Sequence, residues 1–165
     1  MLFGCVLLTG CKEPAPTAQS ESNASYSVTD IQGTVVEMQA KPQHILTLSM
    51  STDEIMLGLV EPEKMAAVNQ LLDDPVSSNV TALAQRVTKR IGRPSAEDIA
   101  ALQPDLVIVP DWGDLAIVPS LRELGLKVVV CKGARDLAEI KETIQLLAEA
   151  AGEPARGKLL QKKMD

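Results

Sequence analysis

Ser95-Ala96-Glu97-Asp98-Ile99-Ala100-Ala101-Leu102-Gln103-Pro104-Asp105-Leu106-Val107-Ile108 holds a helix start, an apolar helix face, a stop and a buried strand in one unbroken run. Ser95 followed by Asp98 is an N-capping pattern, because short polar side chains satisfy backbone N–H groups that the first helical turn leaves without partners. Ile99 and Leu102 supply the apolar face, and Pro104 cannot continue the helix. Leu106 to Val109 then runs apolar without polar alternation, the pattern of a strand covered on both faces.

Working outward, the same grammar recurs. Upstream, Ile45 to Ser49 is strand-like and leads into Ser51-Thr52-Asp53-Glu54, a capping-box pattern opening a helix with Ile55, Met56 and Leu59. Met65 to Val68 reads as another strand, followed by a polar loop from Asn69 to Ser78. Downstream, Asp114 and Pro119 begin a helix through Leu121 and Leu124 that Gly125 stops. Lys127 to Cys131 is the next buried strand, and Asp136-Leu137-Ala138-Glu139 caps a helix bearing Ile140, Ile144 and Leu147 at helical spacing. Val35 to Met38 stands apart as a hairpin strand at the edge. Apolar strands joined by helices predict an α/β fold, a parallel sheet sandwiched between helical layers.

The amino terminus carries a different message. Leu2 to Leu8 is apolar but too short to cross a bilayer, and it ends in Leu8-Thr9-Gly10-Cys11. That ending resembles the lipobox of bacterial lipoproteins. The resemblance implies a signal over residues 1–11, lipidation of Cys11, and an extracytoplasmic chain anchored to the bacterial cell membrane through lipid. Residues 12–33 read as a flexible tether, since Lys12 to Ser27 is Pro, Ala, Ser, Thr, Gln and Glu with little to bury. With Cys5 leaving in the signal and Cys11 lipidated, Cys131 has no disulfide partner and reads as a small buried apolar residue. A net charge of −6, a pI near 4.9 and only 2% aromatic residues argue against nucleic acid as a partner.

In an open parallel sheet, ligands bind at the carboxyl ends of the strands. The loops there are Ser49-Met50-Ser51, Asn69-Gln70, Pro110-Asp111-Trp112-Gly113 and Lys132-Gly133-Ala134-Arg135. The expected ligand contacts are Ser49, Met50, Ser51, Asn69, Gln70, Asp111, Trp112 and Gly113. Trp112, the single tryptophan, either lines a cleft or packs under the next helix. Ser49 and Ser51 also compete to cap the helix that follows. No catalytic set is expected: His44 is the single histidine and lies before the first parallel strand, away from these loops. That arrangement removes two-histidine metal sites and most Ser-His or Cys-His pairs, and neither a resident metal nor a cofactor is expected.

Beyond these local readings, Pro42-Gln43-His44-Ile45-Leu46-Thr47-Leu48-Ser49, Thr52-Asp53-Glu54-Ile55, Ile91 through Ile108, and Leu124-Gly125-Leu126-Lys127-Val128 carry a family resemblance. The body is similar to the amino-terminal lobe of bacterial substrate-binding proteins of iron-siderophore, haem and cobalamin ABC importers. The resemblance implies a Rossmann-like, chelatase-type lobe over residues 34–153. It further implies a helix from 154 crossing to a second lobe, with a ligand held between the two. By the same resemblance Glu97 docks on the permease; otherwise it is an ordinary solvated acid of a first helical turn. The chain ends within the crossing helix, which reads as a truncation. The expected function is capture of an iron-siderophore, haem or cobalamin-type ligand for an ABC permease, without catalysis. The alternatives are a secreted α/β enzyme or a non-functional fragment.

Overall fold

A computed structural model describes residues 24–165. The expected signal, Cys11 and the first part of the expected tether lie outside the described residues. Five parallel strands form the central sheet: β3 (Ile45–Thr47), β4 (Met65–Asn69), β5 (Arg90–Ile91), β6 (Leu106–Pro110) and β7 (Val128–Cys131). Their spatial order is β5-β4-β3-β6-β7. The chain therefore builds to one side of β3 and then to the other, placing a topological switch point between β3 and β6. A separate antiparallel pair, β1 (Tyr26–Thr29) and β2 (Val35–Met38), lies outside this sheet.

Period-two geometry divides the apolar strand residues between two cores. Ile45, Leu106, Ile108, Val129 and Cys131 face α1 (Met50–Leu59), α5 (Leu137–Ala150) and the β1–β2 pair. Leu46, Val107, Val109, Val128 and Val130 face the other layer, where Ile99, Val118 and Leu121 come from α3 (Ala96–Ala101) and α4 (Ile117–Glu123). A one-turn helix, α2 (Thr81–Ala84), follows the polar loop after β4. The three-layer α/β architecture expected from the unalternating strands is thus the observed one.

Several local signals operate as read. Ser95 Oγ accepts the Asp98 N–H while Asp98 Oδ2 accepts the Ser95 N–H, a reciprocal capping box. Asp136 caps α5 through the Glu139 N–H. Gly125 ends α4 at φ +79°. Its N–H donates to the Arg122 carbonyl and that of Leu126 to the Leu121 carbonyl, which satisfies two carbonyls the helix would leave open.

Two readings are corrected. The cap of α1 is Ser49, not the Ser51 pattern: Ser49 Oγ accepts the Thr52 N–H, and the helix already begins at Met50. The turn out of β3 is that tight, and Thr52 reinforces it by donating its hydroxyl to the Ser49 carbonyl at 2.9 Å. The folded part also starts earlier than the tether boundary at residue 33 suggested. Tyr26–Thr29 is a strand, Val28 is buried, and the Tyr26 hydroxyl donates to the Ala150 carbonyl at 2.9 Å. A polar segment folds here because its few apolar positions alternate onto one face. Its buried acid, Asp30, is neutralised by Arg122 at 3.0 Å. Burial pushes the Tyr26 phenol up to about 12.

The last helix, α6 (Pro154–Lys162), lies against α5 and α1. Gly157 is buried there, and a β-carbon on it would stand 2.5 Å from Ala148 Cβ, so only glycine allows this approach. Arg156 Nη1 donates to the Leu59 carbonyl at 2.9 Å, closing the carboxyl end of α1 from another helix.

Candidate functional site

Where β3, β6 and β7 end, their following loops and helices enclose an open cavity of about 690 Å3. Ser51 and Thr52 enter it from the first turn of α1, with Ile55 one turn further on. Asp111 and Trp112 come from the loop after β6, and Lys132, Gly133 and Arg135 from the loop after β7. Ile140 and Ile144 of α5, with Leu160 and Met164 at the end of the chain, provide an apolar wall. This is the carboxyl edge of the sheet at its switch point, where adjacent connections leave in opposite directions and open a crevice.

The rim is polar and tied down. Asp111 Oδ1 accepts the Gly133 N–H at 2.7 Å, joining the β6 and β7 loops across the mouth. Lys132 Nζ meets Glu139 Oε1 at 2.6 Å, and this contact raises the lysine pKa and lowers that of the glutamate. Arg135 is exposed and makes no ion pair among the described residues. Glu54 Oε1 accepts the Ser78 hydroxyl at 2.7 Å, fastening the polar loop after β4 to α1. Trp112 is 64% exposed at the mouth and is not packed in a core beneath α4.

Of the expected contacts, the structure brings Ser51, Asp111 and Trp112 to this cavity. Ser49 is buried and engaged as the α1 cap, and Met50 packs against the core beneath α1. Asn69 lies half-buried at the end of β4, its side chain accepting the Leu71 N–H in a local turn. Gln70 is exposed beside Gly92, while Gly113 turns back to donate to the Pro110 carbonyl at 3.0 Å. Neither lines the cavity. β4 sits on the far side of β3 from β6, so Asn69 and Gln70 at its end stay outside the cavity, and the connection after β4 reaches it only further on, through Asn79 and Val80. Lys132 and Arg135 belong to a loop expected at this edge but are not among the expected contacts; the residues missed outright are Asn79, Val80 and the apolar wall. A signal for the wall was present: Ile140 and Ile144 are spaced i,i+4 on one face of α5.

Beside the cavity, under the first turn of α1, lies a second unforeseen feature. Asp53 is fully buried. It accepts the Thr47 hydroxyl at the end of β3 and, at 2.7 Å, the Asn69 N–H at the end of β4. Desolvation outweighs these bonds and lifts its pKa to about 7. Cys131 closes the floor of β7, and burial pushes its thiol up to about 12, the state of an inert core residue. His44 is exposed at the opposite, amino end of the sheet, where its N–H donates to Asp105 Oδ1 at 2.9 Å. Glu97 is exposed in the first turn of α3. Among the described residues no group of three or more His, Cys, Asp or Glu is placed to hold a metal ion, and no helix is long and apolar enough to cross a membrane.

Sequence comparison relates the chain to an uncharacterised ABC transporter substrate-binding lipoprotein, YvrC of Bacillus subtilis, at 24% identity over 99% of this chain and 53% of the relative. A cobalamin-binding protein of Halobacterium salinarum is 25% identical over 84% of this chain and 38% of its own length. Among solved structures, the periplasmic haem-binding protein RhuT of Roseiflexus sp. RS-1 superimposes with a TM-score of 0.63 at 26% identity, covering 73% of this chain and 45% of RhuT. The chain thus spans about half the length of these relatives or less. The family model described as periplasmic binding protein matches residues 45–165, the whole parallel sheet and every helix around it, and the chain belongs to that family.

Proposed function

We propose that this chain is the ligand-contacting lobe of a substrate-binding protein that captures an iron-siderophore, haem or cobalamin-type ligand and delivers it to an ABC permease. The observation that carries this reading is the cavity at the switch point, with an exposed indole at its mouth, an apolar wall behind and both signs of charge on its rim. A large chelate with a flat face and a polar periphery matches that set of partners. The relatives named for cobalamin and haem support the same ligand class. Lipidation at Cys11 belongs to the reading and is supported by the lipoprotein among the relatives. The reading assigns the chain no catalysis.

Trp112 supplies the direct test. Titrating the protein with cyanocobalamin and with haemin is expected to quench Trp112 emission, and Trp112→Ala is expected to weaken binding about tenfold. Because the side chain is exposed, the melting temperature of that variant should stay within about 2 °C of wild type. Failure of both compounds to bind would overturn the cobalamin and haem readings, and failure of a ferric siderophore as well would overturn the ligand class.

Glu97 is proposed as the permease contact. Glu97→Arg should leave folding and ligand affinity unchanged, since the exposed carboxylate contributes little to stability. Ligand uptake by cells expressing the protein with its permease should fall, most at low salt, because rim charges act mainly on association rate. Uptake at the wild-type rate would remove Glu97 from the interface.

A further inference from the structure

Gly133 and Trp112 occupy each other's space. An ideal β-carbon on Gly133 would collide with Cδ1 of the Trp112 indole and stand 3.0 Å from its Nε1 and 3.1 Å from Asp111 Oδ1. Conformation gives no reason for glycine here, because Gly33, Gly125 and Gly152 are the described glycines at positive φ. Nor does the hydrogen bond from its N–H to Asp111 Oδ1, which any residue except proline would make. What a side chain would remove is the seat of the indole. The five-membered ring rests on the bare Cα of Gly133, and the ring then forms the wall of the cavity mouth.

We propose that Gly133 is a positioning residue of this site, setting where the Trp112 indole lies. By lacking a side chain it lets the indole lie back against the β7 loop, and so keeps the mouth wide enough for a broad, flat ligand. With a methyl group at 133 the ring must leave its seat, either across the mouth or away from it. In both positions the flat wall that the ligand meets is lost. This assignment rests on the ligand reading above, but the position of the indole can be measured without any ligand.

The experiment compares wild type, Gly133→Ala, Trp112→Ala and the double variant. In ligand-free protein, Gly133→Ala should change the acrylamide quenching constant of Trp112 by about 1.5-fold or more. The affinities for cyanocobalamin and haemin should fall about tenfold in Gly133→Ala, whereas adding it to Trp112→Ala should change them less than about twofold. If Gly133→Ala alone folds poorly, the double variant should recover the melting temperature of Trp112→Ala, because the collision is gone. Quenching identical to wild type in a folded Gly133→Ala would overturn the proposal. So would equal losses in both backgrounds, which would mean that Gly133 acts independently of the indole. Should wild type bind neither compound, the cobalamin and haem readings fail, and the quenching comparison alone decides whether Gly133 seats the ring.

Discussion

Asp30→Ala is expected to cost about 3–5 kcal/mol of folding stability, the sum expected when one buried carboxylate stops accepting from four donors. In a chain of this size such a loss lowers the melting temperature by about 10 °C. The Asp30 side chain is fully buried and holds four donors at once. Oδ1 accepts the N–H groups of Gln32 and Thr34, both at 2.9 Å, which closes the β1–β2 turn. Oδ2 accepts Arg122 Nη2 at 3.0 Å and the buried Val130 N–H at 3.3 Å on the outer edge of β7. One carboxylate therefore folds the hairpin, attaches it to the sheet and neutralises a cation from α4. Alanine leaves the Val130 amide without an acceptor and the guanidinium with only the Val128 carbonyl at 3.4 Å, and a buried donor without a partner costs more than the net value of its hydrogen bond. Arg122→Ala should cost less, because three backbone N–H groups still surround the acid. Urea unfolding of the two variants measures the asymmetry; a loss below about 1 kcal/mol for Asp30→Ala would show that the hairpin is not anchored through this residue.

Asp53 is expected to make wild-type stability fall as pH rises from about 4 toward 7, opposite to the usual behaviour of an ion-paired carboxylate. The sign follows from burial. The folded pKa is about 7 against an ordinary 3.8, so in this window the folded state holds a proton that the unfolded state has released. The group's contribution is fully present below the unfolded value and is lost as pH rises through the folded one, with a slope approaching about 1.4 kcal/mol per pH unit between them. Asp53→Asn should flatten that slope and exceed wild type in stability at pH 8. The neutral amide keeps an acceptor for the Asn69 N–H and can donate to the Thr47 hydroxyl. Asp53→Ala should be destabilised at every pH, since it leaves both groups unpaired beneath α1. Urea midpoints measured from pH 5 to 8 for the three proteins decide the matter. Parallel curves for wild type and Asp53→Asn would mean that the carboxyl is already ionised in the folded protein at pH 5.

Both residues mark where the reading of the sequence stopped. The β3-to-β7 frame was legible because its determinants are local. Ser95 and Asp98 cap each other three residues apart, Gly125 ends α4 by its own backbone angle, and the unalternating runs in β6 and β7 require cover on both faces. The position of the site followed from the same logic: a parallel sheet puts its crevice at the carboxyl ends, and Ser51, Asp111 and Trp112 lie there. Asp30 was passed over within a polar tether because its partners are 92 and 100 residues away. No window of composition contains that information. Asp53 looked like one acid of a capping pattern, and only the side-by-side ends of β3 and β4 show that it is enclosed. Asn69 and Gln70 sit at a strand end as expected, yet only the tertiary structure shows that they stay outside the cavity while Asn79 and Val80, further along the same connection, join the loops after β6 and β7 in lining it. Gly133 makes the same point at the scale of one atom. Its composition says loop, and only the indole of Trp112 lying where its β-carbon would be gives the glycine a purpose. Local chemistry in this chain determines its elements and their direction. Which loops meet, and which charges become buried, is decided by packing between segments that the sequence keeps far apart.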